Sequence, residues 1–155
     1  MYFVIIIALM LVLPVASISV EVLAGQAAFT PALVGKWFVF WSVGVRLGMA
    51  GLRQILQPRY TAEVILSLKS EDSLVLVREL GFANLSIGLI GLASLIQPSW
   101  SSAAALAGGV FYALAGVQHT FRAERNGKET IAMASDLWAA VVLLSSLSLQ
   151  RIPLI

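Results

Sequence analysis

Hydrophobic residues fall into five long runs, at 2–20, 34–56, 74–96, 101–121 and 130–149, separated by short polar breaks. A helix needs about 20 mostly apolar residues to cross a bilayer, and each run approaches or passes that length. The pattern predicts five membrane-spanning helices. Pro31, Pro58 and Pro98 stand at the edges of runs, where a missing backbone N–H costs least. Pro14 lies inside the first run and predicts a kink there. The 57–73 break is too polar and too short to span. Within it Ala62, Ile65, Leu66 and Lys69 recur at helical spacing, beside a stripe of Tyr60, Val64 and Leu68. This predicts an interfacial helix at about 61–69 with Thr61 as its N-cap. An ordinary connecting helix fits the same spacing. The first run lacks the basic flank of a signal peptide and exceeds its usual apolar length, so it is read as a retained span.

Composition strengthens this reading. Of 155 residues, 59% are hydrophobic and 12% charged, and mean hydropathy is +0.93. A soluble domain carries roughly 25% charged residues, and so small a chain cannot bury this much apolar surface. A soluble enzyme, a nucleic-acid-binding domain and a disordered chain are thereby excluded. With no cysteine there is no disulfide or thiolate metal site, and a single histidine cannot supply two ligands to a haem.

The net charge of +2 reflects topology rather than a basic patch. With five spans, Arg59, Lys69, Arg78, Arg122, Arg125 and Lys128 share the side of the N-terminus, while Lys36 and Arg151 lie opposite. Six against two predicts a bacterial inner-membrane protein with its N-terminus cytoplasmic and its C-terminus outside.

A few polar residues resist this account. Ionisable side chains inside a span cost roughly 2.5–3.5 kcal/mol each and persist when paired, wet or functional. Arg46, Arg53, Glu79, His119 and Asp136 are such residues, with Asn84 and Gln118 as uncharged companions. At about 1.5 Å per residue, all lie at the midplane or in the cytoplasmic half. Arg46 and Arg53 are seven apart on one helix face, as are Glu129 and Asp136 on another, so Asp136 is expected to pair with Arg46 or Arg53. Gly108, Tyr112, Ala115 and His119 form one stripe with Gly116 beside it, and Gly81, Asn84, Gly88 and Gly91 share a face that excludes Glu79. Trp37, Trp41, Gly44, Gly48 and Gly51 lie opposite the two arginines, and the tryptophans fit an interfacial belt. Gly44 and Gly48 form a GxxxG, a common pattern that says little about dimerisation. Glu79, His119 and Asp136 lack the second histidine and close spacing of a metal site, so none is expected. P-loop, GxSxG and HExxH motifs are absent.

Three runs carry a resemblance: Trp-Ser-Val-Gly-Val-Arg at 41–46, Arg-Glu-Leu-Gly-Phe-Ala-Asn at 78–84 and Gly-Gly-Val-Phe-Tyr-Ala-Leu-Ala-Gly-Val-Gln-His at 108–119. Across most of its length the chain resembles an uncharacterised bacterial family of small membrane proteins, which implies no activity. The last four spans also resemble DoxX-like four-helix membrane proteins, some of which are membrane subunits of quinone-linked oxidoreductases.

The expectation is an all-α transmembrane bundle in one domain, a kinked first helix added to a four-helix core. A non-catalytic subunit or binding protein is the leading reading. Its polar pocket would hold the head of an amphiphile such as a quinone or lipid at Arg46, Arg53, Glu79, Asn84, Tyr112, His119 and Asp136. An enzyme using His119 and Glu79 is the alternative, and a scaffold subunit another. The bilayer is the expected partner, with a membrane-protein partner or homo-oligomer open and nucleic acid excluded.

Overall fold

Local chemistry sets where the helices begin. Thr30 accepts the Leu33 N–H at 3.2 Å through its hydroxyl, and Pro31 follows at the first helical position. The second long helix therefore starts at Pro31, three residues before its apolar run. Asn126 caps the last helix in the same way, its side-chain oxygen accepting the Lys128 and Glu129 N–H groups at 2.9 Å. Gly25, at φ +67°, turns the chain out of the first helix, a conformation only glycine adopts without strain.

The computed structural model describes residues 2–123 and 126–149. All its regular elements are helical. They are α1 (Tyr2–Leu23), α2 (31–56), a short helix Tyr60–Ile65, α3 (Asp72–Ala93), α4 (Ser101–Thr120) entered through a 3₁₀ turn Pro98–Trp100, and α5 (Gly127–Leu149). Tyr2–Leu23, Asp72–Ala93, Pro98–Thr120 and Gly127–Leu149 are long and apolar enough to cross a membrane. The remaining long helix, α2, carries Lys36, Arg46 and Arg53 along its length. Arg125 and Arg151, counted in the charge asymmetry, lie outside the described residues. The short helix differs from the expected 61–69. It ends at Ile65 because Ser67 takes a left-handed φ of +56° and the Leu68 N–H turns back to the Ala62 carbonyl at 2.8 Å. Thr61 lies within this helix rather than capping it.

Two of the long helices contain widened π turns, Ala8–Val12 in α1 and Val39–Leu47 in α2, and the short helix Tyr60–Ile65 is itself of this kind. Bonding from i to i+5 shifts the register of helix faces. The face expected to hold Trp37, Trp41 and three glycines consequently divides in two. Trp37 and Trp41 donate to Glu21 and Ser17 of α1 at 2.8 and 3.0 Å. Gly44, Gly48 and Gly51 instead meet α3 backbone to backbone. A Cβ on Gly91 would stand 2.6 Å from the Gly44 nitrogen, and one on Gly88 2.6 Å from the Gly48 nitrogen. The GxxxG of α2 is thus used inside the chain.

Each π turn of the long helices also receives a donor from elsewhere in the fold. Pro14 has no N–H to give the carbonyl four residues back, that of Met10. The Trp138 indole of α5 donates to this carbonyl at 2.9 Å. Likewise the Tyr112 hydroxyl of α4, fully buried, donates to the Ser42 carbonyl. In apolar surroundings such bonds hold a broken helix ladder in place. Trp138→Phe should lower stability by about 1–3 kcal/mol, and Pro14→Ala should reduce that loss by returning a local donor. Thermal unfolding of both single variants and the double variant in detergent measures the coupling. Equal losses with and without Pro14 would contradict it.

At the opposite end from Tyr2, Glu21 accepts Lys36 through one carboxylate oxygen and the Trp37 indole through the other. This pins the end of α1 to the beginning of α2. A lone acid at the end of an apolar run reads as solvated, so sequence reasoning passed over it.

Candidate functional site

Helical spacing puts the polar residues of α2, α4 and α5 on the faces that meet. Arg46 of α2 donates to the Asp136 carboxylate at 2.9 Å and to the Ser135 hydroxyl at 3.3 Å. Of the two arginines open to Asp136, Arg46 is the partner. Its guanidinium also lies 5.0 Å from the centre of the Tyr112 ring. Tyr112 therefore backs Arg46 on one side while its hydroxyl secures α2. Asp136 is 6% exposed, so this pair is almost fully removed from water.

A second polar group lies nearer the helix ends. Glu129 is fully buried in the first turn of α5, and one of its oxygens meets His119 Nδ1 at 2.9 Å and Arg122 Nε at 3.2 Å. Its other oxygen is buried without a hydrogen-bond partner among the described residues. Arg122 also donates to the Leu66 carbonyl at 2.8 Å, and the Asn126 amide to the Ile65 carbonyl at 2.9 Å. These two side chains close the carbonyl end of the short helix, which fixes Tyr60–Ile65 as a floor beneath the bundle. On α3, the Asn84 amide donates to the Gln54 side-chain oxygen at 2.8 Å, within a buried contact between α2 and α3.

These groups surround a cavity of about 250 Å³, whose polar wall includes Tyr2, Arg46, Arg53, Gln54, Tyr60, Asn84, His119 and Asp136. Its apolar wall includes Ile5, Leu9, Leu47 and Phe111. Arg53 stands apart electrostatically. Its guanidinium stacks 3.5 Å from the centre of the Tyr60 ring, and no described carboxylate pairs with it. Among the described residues the Arg46 charge is matched by Asp136 and the Glu129 charge by Arg122, which leaves the exposed Arg53 as an excess positive charge on the cavity.

Most of the residues chosen from sequence meet here. Arg46, Arg53, Asn84, His119 and Asp136 line the cavity, and Tyr112 supports it from behind. Glu79 does not join them. It is exposed on α3, on the side turned away from the buried Gly81 and Asn84. Gln118 is also exposed. His119 faces Glu129 instead of Glu79, so the acid–base pair considered for an enzyme is not assembled. Sequence reasoning left out Tyr2, Gln54, Tyr60 and Ser135. It used Glu129 only as a marker of the Asp136 face, although that shared face was the signal that both acids point inward.

A family model described as a family of unknown function, DUF6790, matches residues 1–152. The chain belongs to that family. No curated protein and no solved structure matches it. For this DUF6790 chain, function therefore has to be argued from the cavity itself.

Proposed function

We propose that this protein is an integral membrane binding protein or non-catalytic subunit whose cavity holds the polar head of an amphiphile, such as a quinone or lipid. In this reading all five long helices cross the bilayer. α2 crosses with its charges turned into the bundle, and the N-terminus lies on the cytoplasmic side. The Arg46–Asp136 pair is then intramembrane. Its desolvation is offset by mutual attraction and by the Ser135 hydroxyl.

One observation carries the reading. The same cavity has a charged wall and an apolar wall, and its lining includes Ile5 and Met49, which are 36% and 49% exposed. A molecule with a polar head and an apolar tail satisfies both walls, its tail leaving between α1 and α2 past these two side chains. Pockets of this kind, largely apolar with a few convergent polar groups, suit small ligands.

The test is extraction of retained amphiphiles from protein purified in a mild detergent. Ala115 lines the cavity, so Ala115→Phe should fill it without touching the charged groups. The parent should retain a small amphiphile that the variant loses at unchanged or higher Tm. An empty parent, or the same molecule retained by both proteins, would refute the proposal.

A further inference from the structure

The short helix presents Tyr60 to two cations at once. Arg53 of α2 lies 3.5 Å from the ring centre, and the Lys128 ammonium, from the first turn of α5, lies 5.7 Å from it. Neither pairs with a carboxylate among the described residues, although Glu63, Glu71, Glu129 and Asp136 all have basic partners. The fold thus brings two like, exposed charges to one ring without a carboxylate partner among the described residues. A ring face attracts a cation but cannot cancel its charge. Stacking the guanidinium on Tyr60 also leaves its in-plane N–H donors available for an oxyanion.

Resting on the amphiphile reading of this cavity, we propose that Arg53, which lines it, and Lys128, exposed beside it on the Tyr60 shelf, bind the phosphate of an anionic head. The chains of a lipid bearing it would lie on the apolar wall. Position favours this chemistry. Arg53 is three residues from the end of α2 and Lys128 is at the second residue of α5, the level where a spanning helix meets lipid phosphates. A head with its own cation is disfavoured, because its ammonium would approach Arg53 and Lys128. The phosphate can belong to a lipid or be free in solution, and the two sources are separable by experiment.

Full-length protein in a non-ionic maltoside detergent is titrated in native mass spectrometry with dioleoyl phosphatidylglycerol, dioleoyl phosphatidylcholine, inorganic phosphate and decylubiquinone. Phosphatidylglycerol should bind more tightly than phosphatidylcholine. Arg53→Gln and Lys128→Gln should each weaken it by about fivefold, and the double variant by roughly 25-fold, with an unchanged Tm in detergent as the control for folding. Arg53→Lys should recover most of the loss. Inorganic phosphate that binds alone and displaces phosphatidylglycerol would keep the anion site but assign it to a soluble phosphate. Equal binding of the two lipids, or a double variant that binds phosphatidylglycerol as the parent does, would overturn the proposal. If decylubiquinone still binds in that case, the amphiphile cavity stands and only the anion site falls. If nothing binds, both fall.

Discussion

Gly88→Ala should destabilise the protein by about 1–3 kcal/mol or more, while Gly48→Ala should stay within about 1 kcal/mol of the parent. The two glycines touch one another, yet their Cβ directions meet different surroundings. A Cβ on Gly88 would stand 2.6 Å from the Gly48 nitrogen and 2.8 Å from its Cα, both backbone atoms that can yield only if α2 and α3 separate. A Cβ on Gly48 meets nothing within 4 Å. Alanine there gains helix propensity at no steric cost. Gly91→Ala should behave as Gly88→Ala does, since its Cβ would lie 2.6 Å from the Gly44 nitrogen. Thermal unfolding in detergent separates these cases. Equal losses at positions 48 and 88 would mean that the α2–α3 contact is not as close as described.

The second large effect concerns Arg46 and Asp136. Removing either partner alone leaves a buried charge without its counterion, at a cost of about 3–5 kcal/mol. Arg46→Met and Asp136→Leu should each lower stability by that amount. The double variant should recover most of the loss, because no orphan charge remains and the new side chains are apolar. The same pair of changes with Arg53 in place of Arg46 should show no such recovery, since Arg53 contacts Tyr60 rather than Asp136. Additive losses for the Arg46–Asp136 double variant would show that the two charges act independently.

Much of this arrangement is legible in the sequence because it follows simple periods. The five apolar runs correspond to the five long helices. The spacing of seven between Glu129 and Asp136 puts both acids on an inward face, whereas Arg53, seven residues from the half-buried Arg46, is exposed. The buried stripe of Gly81, Asn84, Gly88 and Gly91 on α3 follows from the same rule. Glu79 was grouped with the cluster by depth, but its face is what decides, and 3.6-residue periodicity turns it outward. The faces of α2 were misjudged for another reason. A regular helix was assumed where Val39–Leu47 widens, and a local π turn leaves no periodic signature. Tyr60 and Lys128 were out of reach altogether. They lie far apart in the chain and meet only because Arg122 and Asn126 tie the short helix to the start of α5. Helix starts moved outward at Pro31 and Gly127 because capping by Thr30 and Asn126 extends each helix past its apolar run.

The central claim is that the cavity is a headgroup site, and a crystal structure grown from a lipidic mesophase tests it most directly. The account predicts continuous density running from a polar head among Arg46, Arg53, Tyr60 and His119 to a tail between Ile5 and Met49. Ordered water alone within those walls, with no chain density between α1 and α2, would contradict it.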